Sequence, residues 1–234
     1  LINRPETSDT TFSWKDLQEK LNKELLANLG NLVNRTLTFV KNFQEGQVHE
    51  AVLDELSSNF WQYVSEEQVQ VTSELEQCKE KEALRRIMLI SQRGNQYFQE
   101  QQPWKTRTED PESTRRAMFV LANLIKDLAI LLEPFMPSIS AEIFQQLGTS
   151  QKRWSDLGNL SLSGAIGEPK PLFAKLEEKQ LEDIKARLGG KQESVALKPL
   201  QLKVGRIVDV YRHPDASKLF VESVDFGGEM RTIV

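Results

Sequence analysis

The chain has very few of the residues that build disulfides, metal sites and membrane spans. Its 234 residues include one cysteine, Cys78, and two histidines, His49 and His213. A single thiol excludes an internal disulfide, and with two imidazoles a four-ligand zinc site would have to rely on scattered carboxylates. No apolar run approaches the roughly 20 residues that cross a bilayer, and no secretory signal pattern opens the chain. We therefore expect no metal, no disulfide, no membrane partner and a cytoplasmic location.

An excess of positive charge is also missing. The 30 Lys and Arg residues are outnumbered by 34 Asp and Glu, which gives a formal net charge of -4. A protein that holds nucleic acid mainly by bulk electrostatics is strongly basic, so any such contact here must be local. The chain begins at Leu1 and ends in an apolar, strand-like run, Met230 to Val234. We expect both ends to belong to a longer protein.

The sequence contains no pattern that predicts catalysis. No nucleophile lies beside a base, and the pairs Gly189-Gly190 and Gly227-Gly228 lack the strand, loop and helix setting of a phosphate-binding loop. Paired carboxylates such as Asp54-Glu55 are typical of solvated helix faces. We therefore predict no catalytic residues and no cofactor for this chain by itself.

Apolar residues recur at the three-and-four spacing of amphipathic helices through most of the chain. Ser13 is the expected N-cap of the first helix, and Pro103 is expected to close the third. Residues 149–170 are expected to form a loop over the bundle, and Trp14, Trp61 and Trp154 to lie in the core. The predicted helices cover about 14–43, 54–78, 79–101, 111–132, 138–147 and 172–188.

The hydrophobic period changes to two near the end of the chain. Residues 189–199 have the composition of a linker. Strands are expected in the segments Leu202 to Tyr211, Leu219 to Val224 and Met230 to Val234. The predicted fold is therefore mainly α: a helical bundle over 1–188, the linker 189–199, and the first strands of a β domain over 200–234.

Two polar side chains stand out on the first helix. At roughly 100° per residue, Asn31 and Arg35 share a face opposite the core stripe of Leu29, Val33 and Val40. An Asn amide and an Arg fork, placed four residues apart, can read the edge of an unstacked base. The alternative is an ordinary solvated helix face.

The segment Pro103-Trp104-Lys105 places an indole at a helix end, where the proline restricts the backbone. An exposed tryptophan there could stack on a base, whereas a buried one would only plug the bundle. The candidates for contacts with a phosphate backbone are Arg85, Arg93 and Lys105, with Arg86 beside them, in a locally basic region. The alternative is again a solvated face with pairs inside one helix.

Four short motifs lie in the helical part of the chain. They are Asn28-Leu29-Gly30-Asn31-Leu32-Val33-Asn34-Arg35, Gly94-Asn95-Gln96-Tyr97, Gln102-Pro103-Trp104-Lys105 and Leu132-Glu133-Pro134-Phe135-Met136-Pro137. In order and spacing they resemble the anticodon-binding domains of methionyl-tRNA synthetases, and the resemblance covers residues 1 to about 188. The opening Asn3-Arg4-Pro5-Glu6 and Phe12-Ser13-Trp14 also resemble the eukaryotic cytoplasmic members.

The resemblance implies a bundle of the class I synthetase type and specific residue roles. In that family the Asn and Arg of the first helix hydrogen-bond the first anticodon base, a cytosine, and the Trp after the Pro stacks on it. These roles fall on Asn31, Arg35, Trp104 and, as the residue that positions the indole, Pro103. The family joins methionine to its tRNA with ATP, using an upstream nucleotide-binding domain whose signatures this sequence does not contain. We therefore expect this chain to bind tRNA of methionine specificity and not to catalyse.

Two further motifs lie near the end of the chain. They are Leu202-Lys203-Val204-Gly205-Arg206-Ile207-Val208 and Arg212-His213-Pro214-Asp215-Ala216-Ser217-Lys218-Leu219. They are similar to the opening of an OB-fold tRNA-binding domain found in some synthetases. A five-stranded barrel needs about twice this length, so we expect a truncated domain. An alternative function for the whole chain is a helical scaffold that docks other synthetases or their cofactors in an assembly.

Overall fold

A computed structural model describes residues 11–188 and 202–234. The chain separates into two compact units, Leu1–Lys185 and Ala186–Val234. The predicted linker 189–199 and the motif at residues 3–6 lie outside the described residues. The helices are α1 (Trp14–Lys20), α2 (Asn31–Phe43), α3 (Glu55–Glu76), α4 (Glu80–Gln101), α5 (Pro103–Glu109), α6 (Pro111–Leu132), α7 (Pro137–Gln146) and α8 (Glu178–Leu188).

The predicted first helix is confirmed as one uninterrupted helical run from α1 to α2. Ser13 caps it, since its Oγ accepts a hydrogen bond from the backbone N–H of Asp16 at 3.2 Å. Between α1 and α2 the backbone is a π-helix over Leu21–Gly30. Such wider turns shift the side-chain period, and they are frequent at functional sites.

Helix α6 is the centre of the bundle. Its residues from Ala117 to Leu132 are all buried, and α2, α3, α4, α5 and α7 pack around it. A helix that is buried on every side must satisfy its polar groups internally. Here they hold the segment that follows α7: Asn123 exchanges hydrogen bonds with the backbone of Leu162, at 2.8 and 3.1 Å.

A buried ion pair lies on the same helix. Lys126 and Asp127 are both fully buried, and the Lys126 Nζ lies 2.9 Å from the Asp127 Oδ1. The ammonium also donates to the backbone oxygens of Asp156 and Asn159, while Gly158 donates its N–H to the Asp127 Oδ2 at 3.0 Å. Burial raises the pKa of the Asp127 carboxyl, and the neighbouring ammonium opposes that rise. This pair was not predicted, because periodicity identifies the helix but not its burial on all sides.

The segment 149–170 is more structured than expected. It contains a 3-10 turn, Trp154–Asp156, and a short strand β2, Gly164–Ala165. Strand β2 pairs antiparallel with β1, Gln47–Val48, directly after the first helical run. Strands of two residues have no period to detect, so the sequence could not predict them.

Pro103 closes the third predicted helix, α4, as expected, and it also opens α5. Two further expectations were wrong. The last helix begins at Glu178 rather than Leu172, because the residues before it bond to the first helical run instead: the Leu176 N–H donates to the Asn22 Oδ1 at 2.9 Å. Trp14 packs edge-on against the exposed Phe12 instead of entering the core, which does include Trp61 and, partly buried, Trp154.

The second unit contains a three-stranded antiparallel sheet in the order β3, β4, β5. All three predicted strands are present, with ends shifted by a few residues. Val221 and Val224 are buried, whereas Ile207 and Phe220 are exposed. The strands are β3 (Arg206–Arg212), β4 (Phe220–Asp225) and β5 (Met230–Ile233).

No helix in the described part of the chain is both long and apolar enough to cross a membrane.

Candidate nucleic-acid interface

Helix α4 packs closely against α2 and α6 because it has a glycine where it contacts them. A Cβ on Gly94 would lie 2.5 Å from the Leu124 Cδ2 and 2.9 Å from the Leu32 Cδ2. No side chain larger than hydrogen fits there without a shift. The close approach sets α4 alongside the residues that the sequence analysis selected on α2.

Asn31 lies in a polar network between α2 and α4 rather than facing solvent freely. Its Nδ2 donates to the Asn95 Oδ1 at 2.9 Å. Asn95 in turn donates to the backbone oxygen of Asn28 at 3.0 Å, and Asn28 accepts a hydrogen bond from the Ser91 Oγ at 3.0 Å. The expected solvent-facing stripe is therefore partly an interface, because α4 packs against it.

Arg35 is half-buried and packs on the same neighbour. Its guanidinium carbon lies 4.4 Å from the centre of the Phe98 ring, and one nitrogen donates to the Gln99 Oε1 at 3.4 Å. A guanidinium placed over an aromatic ring can still donate hydrogen bonds to a ligand. The core stripe predicted opposite these residues, including Leu29, Val33 and Val40, is fully buried.

Trp104 is presented by a sharp change of direction between α4 and α5. Gln102 adopts the left-handed conformation, with φ 44° and ψ 54°, and the buried Pro103 starts α5. This conformation is costly for a residue other than glycine, and such strain concentrates at functional sites. The indole stacks on Phe98, with ring centroids 6.1 Å apart, and remains 43% exposed. Of the two alternatives for this tryptophan, the structure has the exposed one.

The aromatic surface continues along α2. Phe39 lies edge-on to Phe98 with centroids 6.3 Å apart, and it touches Phe43 at 4.8 Å. The guanidinium of Arg107, on α5, lies 4.2 Å from the centre of the exposed Phe43 ring. Aromatic rings and guanidinium groups therefore alternate along the α2–α5 side of the bundle, where Phe43 and Trp104 are exposed. Exposed aromatic rings beside cations are typical of surfaces that bind single-stranded nucleic acid.

The basic candidates are spread over several faces. Lys105 follows Trp104 directly and pairs loosely with Glu109 at 3.7 Å. Arg85 pairs with Glu82 near the start of α4, 3.5 Å away. Arg93 lies on the α3 side of α4, bonded to Glu100 at 3.0 Å.

Arg86, the further candidate beside Arg85, has a different role. It donates to Glu67 and Glu74 on α3, both at 2.7 Å, and these two carboxylates raise its pKa above the usual value. Its charge is therefore used to hold α4 against α3.

Sequence reasoning missed three residues that complete this surface: Asn95, Phe98 and Gln99. Asn95 occurs in one of the four motifs, but its contact with Asn31 depends on the packing of two helices. The arrangement offers an amide, a guanidinium and an exposed indole, which can pair with and stack on a base. Within residues 11–188 and 202–234, no group of three His, Cys, Asp or Glu side chains could hold a metal ion.

Comparison with protein families matches two regions of the chain. A family described as "Anticodon binding domain of methionyl tRNA ligase" matches residues 42–193, and one described as "tRNA synthetases class I (M)" matches residues 1–37. The structure of methionyl-tRNA synthetase from Mycobacterium tuberculosis in complex with methionyl-adenylate is similar, with a TM-score of 0.65 and 25% identity, over 69% of this chain and 33% of that one.

Individual relatives agree with the family match. Methionine–tRNA ligase of Methanopyrus kandleri is 35% identical over 100% of this chain, which covers 37% of that protein. The protein of the same name from Borrelia recurrentis is 37% identical over 96% of the chain, covering 32% of its own length. The cytoplasmic methionine–tRNA ligase of Arabidopsis thaliana is 35% identical over 100% of this chain, which covers 37% of that protein. The chain spans about a third of the length of these relatives, and it belongs to the methionyl-tRNA synthetase family, of which it contains the anticodon-binding domain.

Proposed function

We propose that this chain reads the methionine anticodon CAU as exposed, single-stranded bases. The observation that carries the proposal is that Arg35 and Trp104 both contact the ring of Phe98, with Asn31 one helical turn before Arg35. A stacking surface and two base-reading side chains thus lie on one side of the bundle. The family's roles for these residues need that arrangement.

In this proposal each residue has one task. Trp104, positioned by Pro103, stacks on the first anticodon base, and Asn31 and Arg35 bond to its Watson–Crick edge. Stacking on an aromatic side chain contributes about 1–3 kcal/mol per base. Arg85, Arg93 and Lys105 contribute contacts to the phosphate backbone. Of these, Lys105 has the strongest structural support, since it is adjacent to Trp104.

The protein to which this domain belongs is proposed to be a methionine–tRNA ligase that uses ATP and acts in translation, with this part binding tRNA rather than catalysing. In this proposal ATP binds to an upstream nucleotide-binding domain, whose signatures this sequence does not contain. A cytoplasmic enzyme of eukaryotic type is supported by the opening motif and by the plant relative; archaeal and bacterial relatives match at similar identity.

We further propose the domain limits 1–188, 189–199 and 200–234, with strands β3 to β5 as the start of an OB-fold that adds tRNA affinity. Ile207, Val210 and Met230 are about half exposed on these strands. Apolar side chains in such positions would be covered by the further strands of a closed barrel.

The anticodon proposal is tested by binding the 234-residue chain to two RNA stem-loops at fixed salt. One carries CAU and the other the same loop with a changed first base. We expect a preference for CAU that is lost on Asn31→Ala. Equal, weak binding to both loops, falling steeply with salt, would mean that only backbone electrostatics operate.

The scaffold alternative, docking of other synthetases through the bundle and α8, predicts a different result. Trp104→Ala would then leave tRNA binding unchanged while the docking of partner synthetases persists.

A further inference from the structure

We infer that Asn95 is a positioning residue that sets which way round the Asn31 amide faces the base, and thereby selects cytosine over uracil. The inference rests on the proposed function, since it concerns how the same site distinguishes the first anticodon base. It is carried by the chain of hydrogen bonds that joins α2 to α4 behind Asn31. None of these contacts involves a charged group.

The orientation of Asn95 is determined by backbone carbonyls, which can only accept hydrogen bonds. Its side chain faces the Asn28 oxygen at 3.0 Å and the Ser91 oxygen at 3.3 Å. Only an amide nitrogen can satisfy both, and doing so uses its two hydrogens. The Oδ1 of Asn95 is therefore the atom that is left toward Asn31.

Asn28 supports this arrangement in the same way. Its Nδ2 donates to the backbone oxygen of Met88 at 2.9 Å, so its Oδ1 is left to accept from the Ser91 hydroxyl at 3.0 Å. That Oδ1 also lies 3.3 Å from the Asn95 Nδ2. The amides of Asn28 and Asn95 are thus both oriented by backbone oxygens of helices.

The consequence for Asn31 is a defined pattern of donors and acceptors. Facing the Asn95 Oδ1 at 2.9 Å, Asn31 must present its Nδ2. Its own Oδ1 has no partner within the described residues, and one Nδ2 hydrogen is also left. A flipped amide would set two oxygens against each other, which burial makes costly.

This pattern distinguishes the two pyrimidines. Cytosine offers an amino donor at N4 beside an acceptor at N3, whereas uracil offers an acceptor at O4 beside a donor at N3. An amide oxygen beside an amide N–H therefore complements cytosine, and the flipped amide complements uracil. The Asn31 amide could pair with either pyrimidine if it were free to flip. By preventing the flip, Asn95 makes Asn31 prefer cytosine.

The test is the binding of wild-type protein and the Asn95→Ala variant to stem-loops carrying CAU and UAU. Freed from Asn95, the Asn31 amide can turn either way. The preference for CAU should fall by about tenfold, which corresponds to the loss of one discriminating contact. Affinity for UAU should stay the same or rise, a result that general loosening of the fold would not produce.

A double-mutant cycle separates positioning from other effects. In an Asn31→Ala background, Asn95→Ala should leave the ratio of the two affinities unchanged, because no amide remains to be oriented. Urea unfolding of each variant monitors the fold.

If wild-type protein does not distinguish CAU from UAU, the proposed function itself fails. If wild-type protein does distinguish them and Asn95→Ala keeps the full preference, or weakens both loops equally, this inference is overturned and the proposed function stands.

Discussion

The indole of Trp104 stacks on the ring of Phe98, with 28° between the two planes, and Trp104 is 43% exposed. Phe98 is itself buried and also supports Arg35, 4.4 Å from its ring centre. One core aromatic thus holds two of the side chains proposed to contact RNA. This relationship explains why residues on two helices act as one surface.

Replacing Trp104 with alanine should weaken binding to the CAU stem-loop by about 5- to 150-fold, since one stacking contact contributes about 1–3 kcal/mol. Stability should change little, because the side chain is exposed. Fluorescence anisotropy with labelled RNA measures the affinity. Trp104→Phe should recover part of the binding.

Leu89→Ala is the matched control, since Leu89 is similarly exposed on α4 at 47%. It should bind RNA as wild-type protein does. An unchanged affinity in Trp104→Ala would remove this residue from the site.

Replacing Lys105 with glutamine should weaken binding to CAU and UAU loops alike. A lost phosphate contact should also lower the slope of log affinity against log salt by about 1. The control is Lys15→Gln, an exposed residue of α1 that precedes Asn31 by 16 positions in the sequence. A titration between low and moderate salt measures both variants, and equal slopes would exclude Lys105 from backbone contact.

Replacing Gly94 with alanine should destabilise the bundle by about 1–3 kcal/mol, because the added methyl group meets Leu124 and Leu32. Helix propensity alone would predict a gain of about 1 kcal/mol. Urea unfolding shows whether Gly94→Ala lowers or raises the free energy of unfolding. The exposed neighbour Gln92, changed to alanine, should be nearly neutral, and a stabilised Gly94→Ala variant would disprove the close packing.

Replacing Lys126 with methionine should lower the free energy of unfolding by about 3–5 kcal/mol. The substitution leaves the buried Asp127 carboxylate without its cation and frees the two carbonyls that the ammonium holds. Lys20→Met, which breaks only an exposed pair with Glu24, should cost less than about 1 kcal/mol. Comparable losses of unfolding free energy in Lys126→Met and Lys20→Met would contradict the claim that burial makes the loss of the Lys126 charge costly.

Tyr97 should make stability fall at alkaline pH. The residue is fully buried, stacks on Phe60 and hydrogen-bonds the Ser57 Oγ at 2.8 Å; burial raises its pKa to about 12. The tyrosine of the unfolded chain ionises near pH 10. The contribution of Tyr97 to the free energy of unfolding is therefore fully present below about pH 10. Up to about 2–3 kcal/mol of it is lost as the pH rises to about 12.

The measurement is urea unfolding of wild-type protein and Tyr97→Phe at pH 8 and 11. The difference in free energy of unfolding between wild-type protein and Tyr97→Phe should fall by about 1 kcal/mol from pH 8 to pH 11. The more exposed Tyr63, whose pKa is also raised, provides the comparison: Tyr63→Phe should show a smaller change. A constant difference for Tyr97→Phe would contradict burial of the hydroxyl.

Much of the bundle could be predicted because helix periodicity and end signals are local. Ser13, Pro111 and the apolar stripe of α2 led to elements that the structure contains. The predicted start of α8 was wrong because Asn22, distant in sequence, accepts the hydrogen bond of the Leu176 N–H outside the helix. Local propensity carries no information about such a partner.

The sequence by itself determined the family and the helices, and it identified Asn31, Arg35 and Trp104 as the candidate base-reading residues. It could do so because motif order and residue type are properties of the chain. Only the tertiary structure decided that Asn95 orients Asn31 and that Phe98 supports both Arg35 and Trp104. These contacts join residues more than 60 positions apart or set across a helix break, and they exist because Gly94 lets α4 approach α2. Which groups meet is decided by packing, and packing is the property that a one-dimensional pattern does not contain.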